Sequence, residues 1–153
     1  MHSSTSHQNS WSKWHLRLHK KLLRQKDLIP NGASVLLAIP GGQDSMVLLK
    51  LMLDLQRLHK WKLSVWHGNH GWHNQSGQFA KELKIWCQAK KLDFFSDIAT
   101  KDQTKTEVNA RDWRYEKLTN TANMLAAKDK FNPCKHVITG HTASDKAETL
   151  LLN

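Results

Sequence analysis

Hydrophobic and polar residues alternate along this chain in blocks, and the period of the alternation changes between that of a strand and that of a helix. Short apolar runs predict strands at 35–39 (VLLAI), 63–67 (LSVWH), 93–98 (DFFSDI) and 136–140 (HVITG). Longer amphipathic segments predict helices at 44–60, 76–91, 106–128 and 144–152. Strands that alternate with helices predict an α/β class, with a doubly wound, Rossmann-like parallel sheet and helices on both of its faces.

The helical spacing also indicates which side chains face the sheet. In the segment 76–91, we expect the inner face to carry Phe79, Leu83 and Trp86 or Cys87. In the segment 106–128, the spaced positions are Val108, Trp113 or Arg114, and Leu118. Three of the seven tryptophans, Trp66, Trp86 and Trp113, are predicted to belong to the core rather than to stack on bases.

The N-terminal part of the chain has a different composition. Residues 1–10 are polar, and we expect them to be disordered. The next segment, 11–28, predicts a helix with Trp11, Trp14, Leu18 and Leu22 on one stripe and Lys or Arg elsewhere. A basic amphipathic helix can lie on a membrane surface. The preferred interpretation is that it packs on its own domain and leaves its basic side available to RNA phosphates.

Composition and charge narrow the class of protein. The chain has 153 residues, of which 39% are hydrophobic and 24% charged, as in globular domains. No apolar run approaches the roughly 20 residues that span a bilayer, so no membrane partner is expected. Cys87 and Cys134 form no C-x-x-C pair; they predict two buried or half-buried thiols and a cytoplasmic location. The net charge of +10 favours a polyanionic partner such as nucleic acid.

The segment PGGQDS at 40–45 is the strongest candidate for a binding site. It lies between a predicted strand and a predicted helix, where backbone N–H groups and the helix dipole can hold an anion. Gly41 and Gly42 permit a close approach of the backbone to a phosphate. The alternative is purely structural, with a glycine turn and Asp44 as the helix N-cap. This segment alone does not decide between the two.

A metal site is a second alternative, further along the chain. His67, His70 and His73 follow one another at steps of three residues. These steps fit no common zinc pattern, and no cysteine lies near them. We therefore do not expect a structural metal there.

The segment PGGQDS resembles S-G-G-x-D-S, the pyrophosphate loop of the N-type ATP pyrophosphatases. Further segments, taken in the same order along the chain, resemble the tRNA(Ile)-lysidine synthetase family: SVWHGNHGWH at 64–73, TEVNARDWRYEKL at 106–118 and ITGHTASDKAETLLLN at 138–153. The resemblance implies that residues 11–153 form a PP-loop ATP-binding domain, incomplete at its C-terminal end, with the adenine nucleotide alpha hydrolase-like fold. Two positions depart from the family pattern: Pro40 replaces a serine, and Ser144 replaces an aspartate.

The resemblance implies an ATP-dependent ligase that attaches lysine to the wobble cytidine of tRNA(Ile). The partners would be tRNA(Ile) with a CAU anticodon and free L-lysine; a homo-oligomer is left open. ATP and its pyrophosphate would be bound by Pro40, Gly41, Gly42, Gln43, Asp44 and Ser45, and Mg²⁺ by Asp44. The residues implied in catalysis are Asp44, Arg111, His141 and Asp145. The residues implied in tRNA binding are Arg17, Lys20, Lys21, Arg24 and Arg114.

Two other interpretations are kept. One is another N-type ATP pyrophosphatase that acts on tRNA, such as a thiolase, although the cysteines of this chain are not paired in sequence. The other is a non-catalytic remnant that binds nucleotide or tRNA without turnover. Pro40 and Ser144 motivate the second, because both changes remove contacts to an anion or a metal.

Overall fold

The computed structural model describes residues 29–39, 43–69, 76–140 and 147–151. The strands in these ranges are Ser34–Ala38 (β1), Lys62–Asn69 (β2), Asp93–Ile98 (β3), His136–Gly140 (β4) and Ala147–Leu151 (β5). The helices are Gln43–His59 (α1), Ser76–Ala89 (α2) and Glu107–Lys128 (α3). The predicted strands at 35–39, 63–67, 93–98 and 136–140 and the predicted helices at 44–60, 76–91 and 106–128 are therefore confirmed.

The strands form one sheet in the order β3-β2-β1-β4-β5. Strand β1 is parallel to both β2 and β4, with Leu37 opposite Val65 on one side and Ile138 on the other. Strand β2 is in turn parallel to β3. Every residue of β1 is buried, as expected for the central strand of a sheet that is covered on both faces. The doubly wound α/β class is confirmed.

The helix predicted at 144–152 is wrong. Residues 147–151 form β5, which is antiparallel to β4 and places Thr149 opposite Ile138. The edge of β4 would otherwise carry a row of unpaired backbone groups. Pairing with that edge satisfies the backbone of both segments. The sheet is therefore parallel with an antiparallel strand at one edge.

Helices α1 and α2 cover one face of the sheet, here called the first face. Its buried side chains are mostly aliphatic: Val35, Leu37, Ile39, Leu63, Val65 and Ile138 from the strand segments, and Leu48, Leu49, Met52, Leu55, Leu83 and Cys87 from the helices. Phe79 and Trp86 of α2 are half-buried against them. The predicted inner face of α2 is thus confirmed, and it includes both Trp86 and Cys87.

Helix α3 covers the opposite face, here called the second face. Trp66 and Trp113 meet there with their ring centroids 6.0 Å apart, and both are buried as predicted. Leu118 is also buried, but Val108 is 67% exposed, so its expected place along the inner stripe is wrong. At 3.6 residues per turn, Val108 lies about 140° around the helix from Trp113. The larger tryptophan sets the rotation of α3, and Val108 consequently faces outward.

Both cysteines are free thiols and both are buried, as predicted. Burial raises the pKa of Cys87 to about 11, and burial also raises the pKa of Cys134. The two thiols therefore stay protonated near neutral pH and behave as small core side chains. None of the helices in the described part of the chain combines the length and the apolar composition needed to cross a membrane.

Candidate nucleotide-binding site

The order of the strands indicates where a ligand would bind, namely at the edge of the sheet formed by the carboxyl ends of β1 and β4. The chain passes from β1 to β2 and β3 on one side, and then returns to β4 on the other side of β1. Such a reversal is a switch point, and ligands of open α/β sheets bind there, outside the carboxyl ends of the strands. The two strands that flank the switch point, β1 and β4, end at Ala38 and Gly140.

The segment PGGQDS lies at this switch point. Strand β1 ends at Ala38 and α1 begins at Gln43, so Pro40, Gly41 and Gly42 connect the strand to the helix N-terminus. The predicted strand before this segment and the predicted helix after it are confirmed. Residues 40–42 themselves lie outside the described residues. For Gln43, Asp44 and Ser45 only the backbone is described, as the first turn of α1.

His67 stands beside the end of β1. Its Nδ1 atom lies 2.6 Å from the backbone oxygen of Ile39, the residue immediately before Pro40. A carbonyl oxygen can only accept a hydrogen bond, so Nδ1 carries the proton and donates it. The ring is buried with 3% exposure, and its centroid is 5.2 Å from that of Phe79 on α2. His67 therefore connects the exit of β1 to the second strand and to the first face.

The other ring nitrogen of His67 has a different environment. Nε2 is buried and has no hydrogen-bond partner in the described part of the chain. Burial lowers the pKa of His67, and the hydrogen bond to Ile39 opposes this shift only in part. The imidazole is therefore neutral near pH 7, with a hydrogen on Nδ1 and a lone pair on Nε2.

No three His, Cys, Asp or Glu side chains within the described ranges cluster closely enough to hold a metal ion. His70 and His73, the other two members of the histidine series, lie outside those ranges. The hydrogen bond from His67 to Ile39 accounts for one of its nitrogens without a metal.

The third strand leads into a turn that positions the start of α3. The backbone N–H of Ala99 donates to Asn69, which continues the ladder between β2 and β3 beyond the end of β3. Thr104 is fully buried, and its hydroxyl donates to the carbonyl of Thr100 at 3.3 Å. Thr106 then caps α3, with its Oγ1 accepting from the backbone N–H of Asn109 at 3.0 Å. These contacts start α3 at the same edge of the sheet as the glycine segment.

Arg111 and Arg114 lie in the first turns of α3, near this edge. Arg111 is exposed, and its guanidinium lies 5.4 Å from the ring centroid of Tyr115. Arg114 is half-buried, next to the buried Trp113. Both arginines are close in sequence to the buried Trp113. Because Trp113 faces the sheet, it fixes the rotation of α3 and hence the directions in which the two arginines leave the helix. The described contacts do not join either arginine to α1.

The remaining predicted site residues are not covered by the described ranges. These are Arg17, Lys20, Lys21, Arg24, His141 and Asp145. Their implied roles in tRNA binding and catalysis stay predictions. The expected placement of His141 and Asp145 on one helix face also lies outside the described residues.

Sequence reasoning missed the contact of His67 with Ile39, because it weighed His67 only as a metal ligand. The sequence did contain a hint of this contact, because His67 ends the predicted strand at 63–67 and Ile39 ends the predicted strand at 35–39. The contact between them spans 28 residues of sequence, however, and depends on the register between β1 and β2. Sequence patterns do not specify that register.

Comparison with known proteins identifies relatives of nearly the whole chain. The model of one family, described as the PP-loop domain, matches residues 15–153. A tRNA(Ile)-lysidine synthase from Prochlorococcus marinus is 51% identical over 153 residues, which is all of this chain and 46% of that protein. The enzyme of the same name from Parasynechococcus marenigrum is 49% identical over 143 residues, covering 94% of this chain and 40% of that protein.

A more distant relative of the same name, from Nostoc sp., is 36% identical over 143 residues, covering 94% of this chain and 39% of that protein. This chain therefore spans less than half the length of these curated relatives.

Among solved structures, the chain is similar to the U34-tRNA thiolase NcsA from Methanococcus maripaludis, solved with its [4Fe-4S] cluster. The TM-score is 0.54 at 17% sequence identity, and the match covers 86% of this chain and 46% of that chain. At this identity the likeness concerns the fold alone.

Proposed function

Because this chain belongs to the PP-loop domain family, we propose that it binds ATP between β1 and α1 and serves the ligation of lysine to the wobble cytidine of tRNA(Ile). The observation that carries the proposal is the position of PGGQDS. It joins the central strand to a helix N-terminus at the switch point of the sheet. Both the helix dipole and the free backbone N–H groups of a helix start favour a phosphate at such a position.

The proposed reaction has two steps. The cytosine C2 oxygen attacks the α-phosphate of ATP, and the bond from that phosphorus to the pyrophosphate oxygen breaks. The amino group of lysine then attacks C2, loses a proton, and AMP leaves with the C2 oxygen. The protein has to position these groups and to neutralise the negative charge that shifts between the phosphates during the reaction.

The first residues of α1 are the proposed pyrophosphate site. Gly41, Gly42 and Gln43 offer backbone N–H groups, and Ser45 offers a hydroxyl. Asp44 offers a carboxylate oxygen, which suits Mg²⁺, since this ion typically uses one or two carboxylates together with substrate phosphates. When bound, the ion would offset negative charge on the phosphates. Pro40 supplies neither a backbone N–H nor a hydroxyl, so this cradle has two donors fewer than the serine of the family pattern would give it.

The proposed contribution of His141, Asp145 and Arg111 is to the reacting end of the substrates. His141 and Asp145 follow β4 directly in sequence, and β4 is the other strand of the switch point. Arg111, at the start of α3, is a fixed positive charge on the same edge.

For tRNA, the proposed contacts are Arg114 and the basic residues Arg17, Lys20, Lys21 and Arg24. Residues 1–28 contain six of the 23 Lys and Arg residues and one of the 13 Asp and Glu residues. This excess supports phosphate binding near the N-terminus. The logarithm of the tRNA binding constant should then fall linearly with log[salt].

The test of the ATP site compares two aspartates on the same helix. Asp44→Ala should remove the Mg²⁺-dependent part of ATP binding, measured by calorimetry with and without Mg²⁺. Asp54→Ala is the matched control, because Asp54 also lies on α1 but more than two helical turns after Ser45. The Asp54 carboxylate forms a salt bridge with Lys50 at 3.1 Å. Equal Mg²⁺-ATP affinity in Asp44→Ala and in the parent chain would contradict the assignment.

The test of the reaction measures incorporation of labelled lysine into a tRNA with a CAU anticodon, together with pyrophosphate release. Pro40→Ser restores a backbone N–H and adds a hydroxyl; each charge-assisted bond is worth about 1.5–3 kcal/mol. We expect the substitution to speed pyrophosphate release about ten- to a hundredfold. Pyrophosphate release without lysine incorporation would favour the thiolase interpretation. ATP or tRNA binding with no turnover in either version would favour a non-catalytic remnant.

A further inference from the structure

The peptide bond between Ile39 and Pro40 lies at the point where β1 ends. The preceding peptide is held by the sheet, because the N–H of Ile39 donates to the carbonyl of Trp66 at 2.8 Å. The next position is proline, which has no N–H to continue the ladder. The Ile39–Pro40 peptide can therefore be fixed by hydrogen bonding only through its carbonyl oxygen, and that oxygen accepts from His67 at 2.6 Å.

We infer that His67 is a positioning residue for the nucleotide segment: its Nδ1–H holds the carbonyl of Ile39 and so orients the chain as it leaves β1. The inference rests on the proposed function for its effect on ATP. His67 touches no reacting atom in this scheme, and it acts through the carbonyl of Ile39.

Three features of the structure prepare His67 for this task. The backbone of β2 is held in the sheet on both sides, by β1 and by β3. Phe79 packs against the imidazole at a tilt of 55°, which restricts rotation of the ring. The ring is neutral, and the carbonyl oxygen of Ile39 can only accept, so the one ring proton is on Nδ1. The donor is therefore present near pH 7.

Three variants of His67 separate a positioning role through Nδ1 from a role in packing and from a role of Nε2 as an acceptor. In His67→Asn the amide nitrogen can take the place of Nδ1, whereas in His67→Gln the amide reaches the place of Nε2. His67→Phe keeps the shape of a ring and loses both nitrogens. If His67 acts through Nδ1, His67→Asn should be the variant most similar to the parent chain. If it acts through packing alone, His67→Phe should be the most similar, and if Nε2 acts as an acceptor, His67→Gln should be.

The first measurement needs no nucleotide. The amide NMR signals of Gly41 and Gly42 are compared between the parent chain and the three variants, and the ¹⁵N shifts of the His67 ring are recorded in the parent. We expect protonation at Nδ1, small amide shifts in Asn, and large ones in Gln and Phe. Ring protonation at Nε2, or amide shifts that are smallest in Phe or Gln, would overturn the inference.

The second measurement is the Kd of Mg²⁺-ATP for the same variants, with the free energy of unfolding measured in parallel. We expect Asn within about threefold of the parent, and Gln and Phe weaker by about tenfold, the size of one net hydrogen bond. Equal affinities in all three would overturn the inference. If the parent chain does not bind ATP, the proposed function fails, while the NMR comparison still decides the role of His67.

Discussion

The two faces of the sheet are filled in different ways. Among the described helices, α1 and α2 cover the first face, which is built mainly from aliphatic side chains such as Leu37, Leu49 and Met52. Within the same described ranges, α3 covers the second face, which is centred on the ring pair of Trp66 and Trp113. Aliphatic cores tolerate volume-conserving changes at modest cost, whereas a pair of large rings has few alternative arrangements. The second face should therefore be the more sensitive to single substitutions.

Gly68 shows how tightly the second face is packed. A Cβ atom at this position would lie 2.5 Å from Cη2 of Trp66 and 2.9 Å from Cζ3 of Trp113. The absence of a side chain is thus a requirement of the two rings. Trp66 is held further by a hydrogen bond from its Nε1 to Asp97 at 2.8 Å, which ties β2 to β3.

The largest effect is expected from removing one of the two rings. Trp113→Ala should lower the free energy of unfolding by about 3–5 kcal/mol, since it empties the centre of the second face. Trp86→Ala on α2 is the control, because that tryptophan is only half-buried on the first face and should cost clearly less. Urea denaturation of both variants measures the difference. Equal losses would show that the two faces are not distinct in this respect.

A smaller loss is expected from overfilling the same place. Gly68→Ala should cost about 1–3 kcal/mol of unfolding free energy, because one of the rings must move to admit the methyl group. The matched control is Gly77→Ala at the start of α2, where nothing lies within 4 Å of the added atom. Alanine there should leave stability unchanged or slightly raised. A stable Gly68→Ala would mean that the rings have room to shift.

Helix α3, on the second face, also depends on its first turn. Thr106→Ala should cost about 1 kcal/mol, because the backbone N–H of Asn109 loses the Oγ1 that caps α3. Thr106→Ser keeps the hydroxyl and should retain most of the stability. Thermal melts of both variants test this. The exposed Thr119→Ala, in the middle of α3, is the comparison that removes no cap and should leave stability unchanged or slightly raised. A loss in Ser as large as in Ala would argue against the cap.

The smallest effect is expected at Val108. This side chain is 67% exposed on α3, so Val108→Ala should change the unfolding free energy by less than about 0.5 kcal/mol. Leu118→Ala, buried on the same helix, should cost about 2–5 kcal/mol. The pair reports the rotation of α3. A large cost at Val108 would indicate that the helix packs with a different side toward the sheet.

The period of the hydrophobic pattern was enough to predict most of the elements. It located β1 to β4 and α1 to α3, because each of these segments buries a complete face or stripe whose spacing is written locally. It failed at 147–151, where AETLL has no strong period of its own and takes the conformation that the edge of β4 offers. It also failed at Val108, since spacing alone cannot say whether Val108 or Trp113 faces the sheet.

In the candidate site, too, some features follow from local sequence patterns and others from the packing of distant residues. The pattern of strand, glycine segment and helix start could be predicted locally, because turn and helix-start chemistry depend on neighbouring residues. Only folding brings this segment to the switch point between β1 and β4, and brings His67 to the carbonyl before Pro40. Both depend on strand order and register, which arise from packing between residues far apart in the chain and leave no local pattern.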